Sequence, residues 1–268
     1  MNSAATATSA ATLIRPKAVL LDHGGVVARS TKRPERVVDL AQRIHDMIIA
    51  AGGEEVPVYA ILRDIKAGRA AYKAWKNGNV RRMSPREIRH RELWEEFIAS
   101  DWPEAARTLV GIEATPLCRA LVSESEKQLA PGMRDLFELC EANGVATGLV
   151  SNTLIGAANR EHARNWGTEK YFAVQVHSDE VGRRKPDPEM IWLATRSLGL
   201  DPIDVWYVGD NYDRDVLCGR RAGVGCAVLM RPAEKLDPEA DPQPDLIVED
   251  GVELHAVLRD VLAAAVVA

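Results

Sequence analysis

Ten residues near the start of this 268-residue chain constrain it most: Ala18-Val19-Leu20-Leu21-Asp22-His23-Gly24-Gly25-Val26-Val27. The apolar run reads as a buried β-strand. It ends in one carboxylate and breaks at once into two glycines, which let a backbone come close to a ligand. A buried strand that stops at Asp22 is placed to present that carboxylate to something. Two residues further on, where a second carboxylate would act as general acid, the chain has Gly24.

Beyond this strand the pattern changes in kind. From Pro34 to Gln128 the apolar spacing is helical: Val37, Leu40, Ala41, Ile44 and Ile48 share one face, and Ile88, Leu93, Trp94 and Phe97 another. Ser84-Pro85-Arg86-Glu87 carries the signs of a helix start, with Ser84 as N-cap and Glu87 at the third position. From Pro131 onward strands and helices take turns. Helices are expected over residues 132–142, 188–198 and 216–222, and short apolar strands over 145–150, 172–176, 205–208, 225–229 and 246–248. That alternation predicts an α/β fold, a Rossmann-like doubly wound parallel sheet with helices on both faces and an inserted α-helical cap. The division expected is a disordered tail over 1–15, a core of 16–30 and 130–268, and a helical cap over 31–129. In such sheets ligands bind at the carboxyl ends of the strands. Asp22, Ser151 and Asp210 all fall at predicted carboxyl ends.

Composition excludes more than it assigns. The net charge of −5, from 34 basic and 39 acidic residues, leaves no footprint for nucleic acid. The arginines at 81, 82, 86, 89 and 91 are interleaved with Glu87 and Glu92 and read as a solvated face. No apolar run approaches the roughly 18 residues that span a bilayer. The stretch from Met1 to Thr12 lacks the charged start and apolar centre of a signal peptide. Cys118, Cys140, Cys218 and Cys226 have no metal-ligand spacing and are expected as buried free thiols of a cytoplasmic protein.

Asp22 and Asp210 at neighbouring strand ends would offer hard oxygen ligands suited to Mg²⁺. Ser151 and Asn152 add neutral donors. Lys185 adds a positive charge within Gly182-Arg183-Arg184-Lys185-Pro186-Asp187-Pro188, where prolines stiffen the backbone. Such a set, aimed at one point, would stabilise a transferring phosphoryl group while a carboxylate acts as nucleophile.

At these residues the chain resembles the haloacid dehalogenase-like (HAD) hydrolase superfamily, over roughly residues 17–262. Its four motifs fall in order at Leu20-Leu21-Asp22-His23-Gly24-Gly25-Val26, at Leu149-Val150-Ser151-Asn152, at residues 178–188, and at Val208-Gly209-Asp210-Asn211-Tyr212-Asp213-Arg214-Asp215-Val216. The resemblance implies a Mg²⁺-dependent phosphatase acting on a small phosphorylated metabolite through an aspartyl-phosphate. It implies Asp22 as nucleophile, Lys185 neutralising charge, and Ser151, Asn152 and Gly25 around the phosphoryl group. The metal would be held by Asp22, Asp210 and the backbone carbonyl of Gly24, with Asp215 in support; Asp213 is the alternative support. The helical block resembles the family's C1 cap, where Lys73, Trp75, Lys76 and Arg29 could select substrate and an exposed face would suit a homodimer.

Gly24 departs from the family phosphatases, which usually carry a second Asp there. A glycine keeps the carbonyl and loses the proton donor. His23 is a candidate replacement, although a strand neighbour of the nucleophile ordinarily points away from it. Two further readings stand beside the first: a metal-independent 2-haloacid dehalogenase-like hydrolase, whose halide needs no proton, and a non-catalytic binding protein on the same fold. Gly209-Asp210 speaks against the dehalogenase reading.

Overall fold

The computed structural model describes residues 13–232, 237 and 239–264. Its centre is a six-stranded all-parallel sheet in the order β5-β4-β1-β6-β7-β8. The strands are β1 (Ala18–Leu21), β4 (Ala146–Ser151), β5 (Phe172–His177), β6 (Val205–Gly209), β7 (Cys226–Met230) and β8 (Leu246–Val248). Every residue of β1 is fully buried, as its apolar run requires. β1 lies between β4 and β6, with Leu21 level with both Leu149 and Val208. The chain runs outward from β1 to one side and then to the other, so a crevice opens beside β1 at its carboxyl end.

One face of the sheet packs on α6 (Met133–Ala142) and α11 (Gly251–Ala264), with Val19, Leu21, Val208 and Val228 interleaved with Phe137 and Leu258. The other face packs Leu20, Val150 and Tyr207 against α9 (Glu189–Leu198) and α10 (Leu217–Ala222). Burial of this kind contributes about 25 cal/mol per Å² of apolar surface. The helices α7 (Gly156–Asn165) and α8 (Ser178–Val181) follow the carboxyl ends of β4 and β5.

A second apolar core belongs to the helical block: α1 (Glu35–Ala50), α2 (Val58–Asn79), α3 (His90–Glu92) continued by a π-helical turn at Leu93–Ile98, α4 (Glu104–Ile112) and α5 (Ala114–Val122). Leu40, Ala41, Ile44 and Ile48 of α1 are buried there, on the face their spacing marks. Two strands that the hydropathy pattern does not signal join this block to the sheet. β2 (Ala28–Lys32) and β3 (Ser125–Leu129) pair antiparallel, Ala28 opposite Leu129 and Lys32 opposite Ser125.

Two expectations need correction. Residues 84–89 do not begin a helix; Arg86 instead bridges Arg183 in antiparallel fashion, and the Arg184 N–H donates to the Pro85 carbonyl at 3.1 Å. Ser84 donates its hydroxyl to Asp187 and caps nothing. Local capping chemistry loses here to a tertiary backbone pairing. The tail expected over 1–15 is docked at its end: Leu13 packs on the main core, the Ile14 carbonyl accepts from the Trp206 indole at 3.0 Å, and Arg15 donates to the Asn143 carbonyl. Residues 1–12 lie outside the described residues. The helix expected over 216–222 is present as α10, preceded by a π-helical turn, Tyr212–Val216, on which Asp215 is buried. All four cysteines are buried and free. Among the described residues no helix is long and apolar enough to cross a membrane.

Candidate active site

Three carboxylates meet at the crevice beside β1. Asp22, at the end of β1, and Asp210, at the end of β6, reach within 4.8 Å of each other and of Asp215, on the π-turn beyond β6. Two glycines permit this approach. A Cβ on Gly25, which has φ of +84°, would stand 2.1 Å from Asp210 Oδ2, and a Cβ on Gly209 would stand 2.1 Å from the Asp215 Cβ. Gly25 donates its own N–H to the Ala28 carbonyl, closing the turn after Asp22.

Lys185 is the cation of the site. Its ammonium lies 2.9 Å from Asp22 Oδ1 and 2.7 Å from Asp215 Oδ1, and donates to the Val150 carbonyl and the Tyr207 hydroxyl. Burial alone would lower the Lys185 pKa, but Asp215 and Asp22 outweigh it and raise it above the ordinary lysine value. Asp22 is raised by burial and by Asp215, against the pull of Lys185. Asp215 is held by the Asn211 N–H and the Tyr207 hydroxyl, both at 3.0 Å, whereas Asp213 is exposed.

Asp210 is different. Burial, then Asp22 and Asp215, push its carboxyl up to about 6. Its Oδ1 is buried without a hydrogen-bond partner. A buried carboxylate oxygen left unpaired is costly, and Lys185 already serves the other two acids. An all-oxygen donor set with one oxygen unclaimed suits a hard divalent cation. The residues therefore fit Mg²⁺.

Ser151 ends β4 at the same level, buried, with its hydroxyl 3.5 Å from the Asn159 amide. The side chain of Asn152 is hydrogen-bonded to the backbone of Lys185. It accepts from the Lys185 N–H at 2.8 Å and donates to the Lys185 carbonyl at 3.1 Å, fixing the segment that carries the lysine. A Cβ on Gly24 would meet nothing within 4 Å, so the place of a second carboxylate is open space.

His23 does not fill that place as an acid. Its ring is buried and stacks with His162 and Trp166 at centroid distances of 5.7 and 6.0 Å. Burial first, then His162 and Lys127, hold its pKa down to about 3, so it is a neutral imidazole near pH 7. His177 is likewise buried and lowered to about 4. Arg184 belongs to a buried network with the helical block. It donates to Glu87 Oε1 at 2.7 Å, while Ser178 donates to Glu87 Oε2 and the Tyr72 hydroxyl to Oε1.

Sequence reasoning missed Tyr207 and Lys127. Tyr207 reads as one more apolar strand residue, and only the register of β6 places its hydroxyl under Lys185. Lys127 lies in a strand without apolar alternation; it donates to Ser30 across the β2–β3 pair. A cavity of about 970 Å³ is lined by Gly24, Ser151 and Asn152 from the sheet and by α2 residues from the helical block.

The geometry has counterparts among known proteins. The description of haloacid dehalogenase-like hydrolases matches residues 16–223, and the chain belongs to that family; it is a hydrolase of the HAD type. The chain is similar to phosphoglycolate phosphatase 1 of Pseudomonas aeruginosa, 26% identical over 253 residues that cover 93% of this chain and 80% of that one. It is also similar to phosphoserine phosphatase of Thermus thermophilus, 35% identical over 166 residues, 62% of this chain and 61% of the other. Among solved structures, 2-haloacid dehalogenase from Pseudomonas syringae superposes with a TM-score of 0.59 at 19% identity, covering 92% and 99% of the two chains. A HAD phosphatase from Thermococcus onnurineus gives 0.54 at 19% identity, covering 90% and 97%. A dehalogenase and a phosphatase thus share the fold, and the chemistry must be argued from the site.

Proposed function

We propose that this chain is a Mg²⁺-dependent phosphatase that hydrolyses a small phosphorylated substrate through an aspartyl-phosphate on Asp22. The observation that carries this reading is the unpartnered buried oxygen of Asp210 beside Asp22 and Asp215. Asp22, Asp210 and the Gly24 carbonyl would hold the metal, with Asp215 in support. When bound, Mg²⁺ supplies neutralisation of the phosphoryl oxygens and of the crowded carboxylates.

An oxygen of Asp22 attacks phosphorus, the P–O bond to the organic part breaks, and the alkoxide leaves. Lys185 neutralises charge on the transferring group and holds Asp22 in line. Ser151 donates to a phosphoryl oxygen. Water then attacks phosphorus, the acyl-phosphate bond breaks, and Asp22 is restored as inorganic phosphate departs. Gly24 contributes no proton at either step, and His23, neutral, protonates nothing at pH 7. Leaving groups that depart as weak bases, or that water can protonate, are therefore favoured.

The similar proteins of Pseudomonas aeruginosa and Thermus thermophilus are phosphatases, which supports phosphorus rather than carbon as the centre attacked. Three close carboxylates served by a single lysine also speak against a metal-free reaction with an anionic 2-haloacid. The reading is tested by phosphate release from a panel of phosphoesters with and without Mg²⁺, for the wild type and Asp22→Asn. Metal-dependent release lost in Asp22→Asn supports it. Metal-free turnover of 2-haloacids would replace it with the dehalogenase reading, and silence on both panels with the binding-protein reading.

A further inference from the structure

The cavity beside Asp22, lined by its chain neighbours His23 and Gly24, is charged opposite to the protein as a whole. The chain carries a net −5, yet the two acidic residues lining the cavity, Glu87 and Glu124, are each already paired with an arginine, Arg184 and Arg69. The lysines of the same wall have no such partner. Lys66, Arg69, Lys73 and Lys76 succeed one another along α2 at spacings of three, four and three, which places them on one helix face. Lys66, Lys73 and Lys76 make no ion pair among the described residues. Lys76 is the most telling, since it is partly buried with its ammonium 4.5 Å from the centre of the Tyr72 ring. Burial first, then Arg184 and Arg214, lower it to about 8. Such a desolvated ammonium without a counter-anion is costly for an empty cavity and useful for an occupied one.

We infer that Lys66, Lys73 and Lys76 form a second anion subsite, and that the substrate is a phosphomonoester whose organic part carries a further carboxylate or phosphate. This inference rests on the phosphatase reading for the end of the substrate held at Asp22. A single phosphoryl group engages Lys185 and Ser151 at the sheet, which leaves the α2 lysines to the far end of the molecule. A cavity of about 970 Å³ accepts a sugar-sized body between the two ends. The anion supplies the charge-assisted hydrogen bonds that these lysines lack.

Matched esters test this by direct binding to the Asp22→Asn protein in calorimetry, which needs no turnover. One pair is 6-phosphogluconate against glucose 6-phosphate; the other is fructose 1,6-bisphosphate against fructose 6-phosphate. In at least one pair the more anionic member is expected to bind about tenfold tighter or more, and the pair showing it tells carboxylate from phosphate. The preference should shrink in the Lys73→Met/Lys76→Met double variant and at high salt, and survive in Lys73→Arg/Lys76→Arg. Equal affinities in both pairs, a preference unaltered in the methionine variant, or no binding of any ester would overturn the inference. Phosphate release by the wild type judges the phosphatase reading separately: esters released without discrimination between the pair members end this inference and leave that reading standing.

Discussion

The Lys185 ammonium stands 2.9 Å from Asp22 Oδ1, the lysine fully buried and the Asp22 side chain 11% exposed. In the proposed reaction this lysine neutralises the transferring group; in the fold it separates two carboxylates, and its removal leaves two like charges facing each other across the site. Lys185→Met is expected to lower kcat by about 10²–10³-fold and to destabilise the fold by about 3–5 kcal/mol near pH 7. Lys185→Arg is not expected to rescue it. The four oxygens around the ammonium suit a compact point charge, and a planar guanidinium presents its donors in a fixed fork. Steady-state kinetics and urea denaturation of both variants check this; a fully active arginine variant would contradict it.

Gly24 lines the cavity and a Cβ there meets nothing within 4 Å, so a side chain can start from it without a clash. Gly24→Asp is expected to raise kcat on alkyl phosphates, by up to about 10²-fold, because it restores a proton donor and a base for water. Esters with activated leaving groups should gain less. An unchanged rate would mean that the reaction already has another acid. Gly25→Ala should do the opposite, because its methyl group would collide with the Asp210 carboxylate in a backbone conformation that alanine resists.

The metal-free protein should be less stable at pH 8 than at pH 5 on account of Asp210. Its native carboxyl, pushed up to about 6 by burial and by Asp22 and Asp215, keeps a proton that the unfolded chain has already lost. Between about pH 4 and 6 the native state therefore binds more protons, and this contribution to stability falls as pH rises, by at most about 3 kcal/mol. Mg²⁺ should reverse the penalty, so the rise in Tm on adding it is expected to be larger at pH 8 than at pH 5. Melting curves at the two pH values, with Mg²⁺ or with a chelator, decide it. An equal rise at both would remove Asp210 from the metal site.

Glu87 ties the helical block to the loop bearing Lys185, accepting from Arg184, Ser178 and Tyr72. Glu87→Ala leaves a buried guanidinium without its counter-charge and is expected to cost about 3–5 kcal/mol. Glu87→Gln keeps the shape and should cost less. Denaturant unfolding of the two variants gives the ranking, and a neutral Glu87→Ala would refute the role assigned to the pair.

The parallel sheet was legible because each of its strands is a short apolar run closed by a polar or glycine signal, and Asp22, Ser151 and Asp210 could be found at those closures. β2 and β3 were not, because Ala28-Arg29-Ser30-Thr31-Lys32 is exposed after its first residue, Ser125-Glu126-Lys127-Gln128-Leu129 is mostly polar and half-buried, and neither shows apolar alternation. Residues 84–87 misled because a good local cap can serve a tertiary contact equally well, and Glu87 gains more from Arg184 than from a helix start. The charged lining of α2 was foreshadowed by Lys73 and Lys76. Only the folded chain shows that the acids of that wall are already paired.

Trapping the covalent intermediate tests the central claim most directly. With an activated ester, whose leaving group needs no acid, only the clearance of Asp22 by water lacks its base at Gly24, so the aspartyl-phosphate should accumulate during turnover. Protein quenched in acid during Mg²⁺-dependent hydrolysis and examined by peptide mass spectrometry should carry a phosphoryl group on Asp22, absent in Asp22→Asn. Metal-dependent phosphate release that persists in Asp22→Asn would contradict the account.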